Sequence, residues 1–353
     1  MKNKTVVVCG GGGFIGGHLV ADLLRQGYTH VRCVDIKPLE QWYQVHPEAE
    51  NVIADLNLKD EAFGAVRGMG TVINLACNMG GMGFIENNKG LCMISVLINT
   101  HLLMAAREYG AARFFYASSA CVYNGDKQKD KKLDVYLKEE DAYPAMPEDG
   151  YGWEKLFSER MCRHFREDFK VETRVARFHN VYGPNGTFEG GREKAPAAMC
   201  RKVIHAKMTG DHNIEIWGDG RQTRSFMYIS DCLKGIDLIT SSDTFHEPIN
   251  LGSSEGVSIN QLVDIVEDIA GIKLKRSYNL DAPKGVNGRN SDNTLIKEIF
   301  GWEPDTKLRV GMEKTYRWIH DQMASRYGAK PRPMAVVGAG ASASHGCGCG
   351  CKH

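Results

Sequence analysis

Apolar positions recur along this chain in two alternating rhythms. Residues 4–9 (Lys-Thr-Val-Val-Val-Cys) form a short β-branched run that ends at the four glycines Gly10 to Gly13. Beyond them Phe14, Ile15, Leu19, Val20 and Leu23 share one helical face, so the pattern predicts a strand, a tight turn and a helix. Further strand-like runs are Val31–Asp35, Val52–Asp55, Thr71–Ala76, Arg113–Ser118 and Glu172–Arg177. Helical periodicity near 60–67, 90–109 and 151–168 separates them. Strand alternating with helix implies a doubly wound α/β fold with a parallel sheet.

After Asn180 the rhythm changes. Tyr182-Gly-Pro-Asn-Gly-Thr187 and Glu189-Gly-Gly-Arg192 are rich in turn formers, and the elements beyond are short and irregularly spaced. Helices are expected again near 258–270 and 309–327. The expected organisation is residues 1–180 as the sheet domain, with later segments returning to it, and 181–326 as a smaller α/β substrate-binding region. Residues 327–353 turn to Ala, Gly, Ser and Pro and carry Cys347, Cys349 and Cys351. Such a segment cannot bury enough apolar surface to order itself and is expected to be a disordered tail; a soft-metal or redox tag is the other reading of its thiols.

Composition narrows the function classes. The 353 residues carry 44 Lys+Arg against 43 Asp+Glu, a formal net charge of +1. No global field therefore favours nucleic acid or an anionic membrane, and neither is expected as a partner. Nowhere do eighteen consecutive apolar residues occur, so no membrane-spanning helix is expected. The start lacks the apolar run of a secretory signal. Most of the 11 cysteines are scattered through strand-like and helix-like contexts, which reads as reduced thiols in the cytoplasm packed as small hydrophobes. No metal site is expected.

Gly10, Gly13 and Gly16 are spaced GxxGxxG between the first strand and the first helix. Glycine there lets the backbone turn tightly and approach a pyrophosphate seated on the helix N-terminus, where Phe14 and Ile15 begin the first turn. Asp35 ends the next strand, and a carboxylate at that place binds both adenosine ribose hydroxyls and repels a 2′-phosphate. This predicts a Rossmann-type site for NAD rather than NADP, with Arg32 and Lys37 as the nearby cations that weigh the other way. Asp55, at the end of the third run, is placed to accept from the adenine amino group, or else to cap a turn.

Tyr151 and Lys155 are four residues apart on a helix and so share a face. Ser119 stands at the end of a preceding strand. Serine, tyrosine and lysine in that order suit hydride transfer from a secondary alcohol, the tyrosine taking the alcohol proton and the serine holding the hydroxyl. Tyr151 and Lys155 would also face the cofactor. Cys121, two positions after Ser119, is unnecessary for redox chemistry alone. It makes sense if the substrate is oxidised, exchanges protons beside the new ketone, and receives its hydride back.

These motifs resemble the extended short-chain dehydrogenase/reductase family of nucleotide-sugar enzymes, and within it the epimerases that invert C3″ and C5″ of GDP-mannose. The resemblance rests on Met79-Gly-Gly-Met-Gly-Phe-Ile85, Phe114-Phe-Tyr-Ala-Ser-Ser-Ala-Cys121, Arg177-Phe-His-Asn180 and Gly190-Gly-Arg-Glu-Lys-Ala-Pro-Ala-Ala198. Trp217-Gly-Asp-Gly220, Gln222-Thr-Arg-Ser-Phe226 and Gly288-Arg-Asn-Ser-Asp-Asn293 add to it. It implies Ser119, Tyr151 and Lys155 as the oxidising triad, with Cys121 as proton-transfer base and Lys194 as acid. It also implies a GDP-sugar pocket lined by Gly80, Ser119, Ala120, Cys121, Asn180, Glu193, Lys194, Ala195, Lys202, Gln222, Thr223, Arg224 and Arg289, the arginines offering paired donors to a diphosphate. Trp217 and Phe226 are expected in the core. A tightly held NAD and a homodimer through a helical bundle are implied as well. Cys9 in the glycine turn, Asn78 before Met79 and Trp153 in the Tyr151 helix depart from the family pattern. A 4-epimerase or dehydratase of the same family and a non-enzymatic NAD-sensing regulator are the rival readings; intact Ser119, Tyr151 and Lys155 speak against the last.

Overall fold

The structure, a computed structural model, describes residues 4–129, 135–283 and 285–327. Strands β1 (Thr5–Cys9), β2 (His30–Asp35), β3 (Glu50–Ile53), β4 (Thr71–Asn74) and β5 (Arg113–Ser119) follow the predicted runs closely. Together with Thr173–Phe178 and Ile249–Leu251 they form a seven-stranded sheet, in the order Ile249–Leu251, Thr173–Phe178, β5, β4, β1, β2, β3. Every adjacent pair is parallel. Strand order reverses at β1, which opens a crevice beyond its C-terminal end between β2 and β4.

Because helices cover both faces, β1 had to be apolar throughout. Val6 and Val8 pack with α1 (Phe14–Arg25) on one face, whereas Val7 and Cys9 pack with α2 (Lys59–Val66) on the other. All four are 0% exposed. The loop after β4 carries α3 (Met82–Asn87), and the predicted helix near 90–109 is split into α4 (Lys89–Ile94) and α5 (Val96–Tyr109). The break falls at buried Ser95, whose Oγ accepts from the Asn78 backbone N–H at 2.9 Å. That bond ties the helix to the loop preceding Met79. The stretch Lys89–Tyr109 is long and apolar enough, by length and composition, to cross a membrane. Here its inner residues Ile98, Leu102 and Leu103 flank the sheet, each burial stabilising the fold by about 1.5–3 kcal/mol. The apolar excess is on its outer face.

Helix α6 (Asp149–Phe169), which carries Tyr151 and Lys155, begins slightly earlier than its periodicity suggested. The second half holds longer helices than its turn-rich composition implied: α7 (Ala195–Thr209, 15 residues) and α8 (Ile229–Ser241, 13 residues). Pro196 sits in the first turn of α7, where its missing N–H costs nothing. Chain segments cross position 180 in both directions. Ile249–Leu251 joins the main sheet, and Tyr136–Leu137 joins a four-stranded sheet with Gly288–Ser291, Thr223–Ser225 and Gly256–Ser258. The expected tail with Cys347, Cys349 and Cys351 lies outside the described residues, apart from Tyr327, the last residue of the closing helix Leu308–Tyr327.

Candidate active site

The glycine turn sits at the strand-order reversal. A Cβ on Gly16 would stand 2.2 Å from the Gly10 carbonyl oxygen, so only glycine lets the first turn of α1 close onto the end of β1. Gly13 caps that helix with extended backbone and no side-chain bond. The N–H groups of Phe14, Ile15 and Gly16 begin the helix and point toward an incoming anion. Asp35 ends β2, is 8% exposed, and accepts from the Lys37 backbone N–H at 3.1 Å. Both cations near the place of a 2′-phosphate are engaged elsewhere. Arg32 binds Glu50 at 2.9 Å and the carbonyls of Gly64, Ala65 and Arg67. The Lys37 ammonium donates to the Gly12 carbonyl at 2.8 Å. These residues fit NAD. Asp55 lies two residues past β3 and accepts from the Asn57 backbone and side chain at 3.0 and 2.8 Å, a turn-capping role.

Beside this turn, β5 ends at Ser119 and the chain enters a 3-10 turn through Ala120 and Cys121. The Cys121 N–H donates to Ser119 Oγ at 3.2 Å, and the same hydroxyl is bonded to Tyr151. Tyr151 and Cys121 are both buried. The Lys155 ammonium donates to the Ala117 carbonyl at 3.1 Å, lies 5.5 Å from the centre of the Tyr151 ring, and hydrogen-bonds Cys77. Its charge is matched by buried Glu154 at 3.6 Å, which is held in turn by the Tyr116 and Ser158 hydroxyls. Burial alone would lower Lys155, but its interactions with Cys77 and Glu154 outweigh it and keep the ammonium above its ordinary range. Burial, then Cys77 and Cys121, push the Tyr151 phenol well above its usual value, and the Ser119 hydrogen bond only partly opposes them. The protein groups by themselves thus favour the protonated phenol, the carboxylate of Glu154 adding to the effect of burial.

Two loops close the site on the other side. Gly81 donates to the Arg192 carbonyl at 3.1 Å, and a Cβ on Gly81 would lie 2.6 Å from the Glu193 carbonyl oxygen. The Met79–Ile85 and Gly190–Lys194 loops are thus docked backbone to backbone, Gly81 against Arg192 and Glu193, and Lys194 follows as the N-cap of α7. Burial lowers the Lys194 ammonium, and the neighbouring cysteines Cys121, Cys77 and Cys232 only partly oppose it. Burial first, then Glu148, raises the Cys121 thiol, against the pull of Arg289. Arg289 donates to Cys121 Sγ at 3.3 Å and to Gln128 at 2.7 Å, and pairs with Glu148 at 2.7 Å. Arg224 feels this cluster too, and burial followed by the charge of Arg289 brings it to about 10.

The remaining expected pocket residues divide. Among the described residues, Gln222 Oε1 and Thr223 Oγ1 are buried without a hydrogen-bond partner, the condition of groups a polar ligand would satisfy. Asn180 adopts φ 38° and donates to the Ser225 carbonyl at 3.1 Å; Ala195 opens α7 beside Lys194. Glu193 braces its own loop, accepting from Gly191 N–H at 2.7 Å and Arg201 at 3.1 Å. Lys202 is anchored to the Glu215 carbonyl at 2.7 Å. Phe226 is in the core at 3% exposed, but Trp217 is not: it is 43% exposed, with its ring 3.6 Å from where a Gly83 Cβ would stand. Strand alternation turned it outward beside buried Ile216. Sequence reading missed Cys77, Glu148 and Glu154. Only the placement of Glu148, three residues before Tyr151 on the same helix entrance, offered a signal for any of them.

The model of the NAD dependent epimerase/dehydratase family matches residues 6–252. A GDP-mannose 3,5-epimerase 1 of Oryza sativa subsp. japonica is 45% identical over 91% of this chain and 83% of that protein. The GDP-mannose 3,5-epimerase of Arabidopsis thaliana is 44% identical over 91% of this chain and 84% of its own. Among solved structures, MoeE5 in complex with UDP-glucose and NAD superposes with a TM-score of 0.74 at 28% identity, covering 90% of this chain and 99% of that one. With its glycine turn, Asp35 and Ser119–Tyr151–Lys155 arranged as described, this chain belongs to the NAD dependent epimerase/dehydratase family and, within it, groups with the GDP-mannose 3,5-epimerases.

Proposed function

We propose that the protein epimerises GDP-D-mannose at C3″ and C5″ to GDP-L-galactose through a transient 4-ketone, with its NAD retained. The observation that carries this reading is a thiol and an amine, Cys121 and Lys194, converging on the Ser119–Tyr151–Lys155 site. Bound NAD supplies the hydride acceptor at C4″ and later the donor. Its positive nicotinamide would also favour the Tyr151 phenolate, which the protein groups by themselves disfavour. Ser119 and Tyr151 hold the C4″ hydroxyl and move its proton; Lys155 orients that tyrosine and the ribose. Once the carbonyl exists, hydrogens on C3″ and C5″ become acidic.

Inversion then needs a base on one face of the ring and an acid on the other. A thiol pushed up by burial is the stronger base once ionised, and an ammonium pushed down is the stronger acid. These directions favour Cys121 as base and Lys194 as acid. Gln222 and Thr223 would take polar groups of the nucleotide sugar. Arg224 and Arg289 lie close enough to Cys121 to serve the sugar end of the diphosphate. A 4-epimerase has no need of the Cys121–Lys194 pair. Incubation with GDP-mannose in heavy water is the test: deuterium at C3″ and C5″ is expected, and its absence from both carbons, in protein that still holds NAD, would refute the assignment.

The reading extends to assembly. On α4 and α5, Leu91, Met93, Ile94, Leu97 and Met104 are 38–49% exposed, and Trp153 and Phe157 on adjoining α6 are 46% and 55% exposed. An apolar face of this extent marks an interface, and two copies would pair it as a four-helix bundle. The double variant Leu97→Glu with Phe157→Glu is expected to be monomeric by light scattering, with its circular dichroism unchanged. A dimer of undiminished stability would point to another surface. Residues 1–180 with their returning segments would hold the cofactor and 181–326 the sugar nucleotide. The eight free cysteines among the described residues suit the cytoplasm.

A further inference from the structure

Glu148 has no part in the chemistry above, yet it touches the residue that does most of it. Its backbone N–H donates to the Cys121 carbonyl at 2.9 Å. Its carboxylate pairs with Arg289 at 2.7 Å and its side chain is 13% exposed. Arg289 closes the figure by donating to Cys121 Sγ at 3.3 Å, and the charge of Glu148 acts on the thiol in the opposite sense. Cys121 therefore stands between a buried anion and a buried cation that are also bonded to each other.

Resting on the epimerase reading, we propose that Glu148 is a positioning residue for Cys121: with Arg289 it clamps the sulfur in place and sets the pH at which that sulfur becomes the base. Two opposed effects meet at the thiol. Donation from Arg289 stabilises the thiolate, whereas the Glu148 carboxylate repels it. Burial would raise the Glu148 carboxyl, but the ion pair with Arg289 outweighs it and keeps the group ionised. The other groups facing this cluster are Ser119 and Tyr151 on the sugar side, Lys194 across the site, Arg224 beside Arg289, and Glu86 beyond Glu148. None of them bridges the sulfur and the guanidinium as Glu148 does. A clamp of this kind keeps a nucleophilic thiol protonated against stray electrophiles, yet leaves Arg289 poised to hold the thiolate when the reaction forms it.

The sign follows directly. Glu148→Gln keeps the shape and removes the repelling charge, so the thiolate should form at lower pH. Site-specific alkylation of Cys121 by iodoacetamide, followed by peptide mass spectrometry across a pH series on the NAD-bound protein, reads this without any turnover. At a fixed pH below the wild-type midpoint, labelling of Cys121 in Glu148→Gln is expected to rise on the order of tenfold. The acidic limb of kcat/KM should move to lower pH with it. Glu148→Asp, which retains the charge, should stay near wild type. An unchanged or higher midpoint in Glu148→Gln, or the same shift in both variants, would overturn the clamp in favour of a packing role. If Glu148→Gln does not fold, Arg289→Met gives the mirror test: Glu148 then faces the thiol alone and the midpoint must rise, and a fall would be equally fatal. Alkylation is independent of substrate, so a wild-type enzyme that labels as expected but exchanges no deuterium would sink the epimerase reading and leave the clamp standing.

Discussion

Cys121→Ala is expected to stop solvent deuterium from entering C3″ and C5″ of GDP-mannose while leaving oxidation at C4″ in place. A positioned acid or base contributes about 10²–10⁴-fold to such steps, so exchange at the carbon served by the thiol should fall by at least the lower figure. The fold should tolerate the change, because Cys121 lies in the small cluster with Ile85, Cys92 and Tyr151, and removing one sulfur leaves a modest void. Bound cofactor should still be reduced when substrate is added, since Ser119 and Tyr151 are unaltered and Lys155 keeps its contacts to Ala117 and Glu154. Two measurements separate the outcomes: isotope incorporation by mass spectrometry, and absorbance of the reduced cofactor on the enzyme. Undiminished exchange in Cys121→Ala would remove the thiol from the mechanism. Loss of cofactor reduction as well would mean that the substitution had disturbed the oxidising triad instead.

Tyr151→Phe should give the complementary result, in which both signals vanish together. The phenol hydroxyl is the group that takes the C4″ proton, and without a carbonyl at C4″ the neighbouring hydrogens are not acidic. Cofactor reduction and deuterium entry should each fall by about 10²–10⁴-fold. Folding should survive, because the ring fills the same buried space and only the Ser119 hydrogen bond is lost, worth about 0.5–1.5 kcal/mol. Because burial and neighbouring acids raise the Tyr151 phenol in the protein alone, wild-type oxidation should also weaken as pH falls, the phenol then holding its proton more firmly. Exchange that persisted in Tyr151→Phe would show that proton transfer does not require the ketone, and the order of steps proposed here would fail.

These outcomes depend on groups of very different legibility. The pairing of Tyr151 and Lys155 followed from helical spacing, and the glycine turn followed from a strand, three glycines and a helix. Asp35 followed from its place at a strand end. Asp55 lies two residues past the end of its strand, and the turn-capping alternative is visible in the bonds that one of its oxygens accepts from Asn57. Trp217 was expected in the core because it is large and apolar, but in a two-stranded sheet with one covered face alternation decides the side. The helix split at Ser95 depended on a bond to Asn78, 17 residues away.

Sequence by itself determined what periodicity can carry: the parallel sheet and its covering helices, the turn that receives a dinucleotide, and the residue types for oxidation and proton exchange. Each is a local pattern, repeated every two or every 3.6 residues, and a chain that follows it has few alternatives. Tertiary structure alone decided the electrostatics. Residues 121, 148 and 289 meet only because a strand end, a helix entrance and a late strand converge on one buried point. Glu154 pairs with Lys155 although adjacent helical side chains diverge, because the Tyr116 and Ser158 hydroxyls hold its carboxylate in place. Charges act through space and are strengthened by burial, and neither distance in space nor exclusion of water is written in the order of residues.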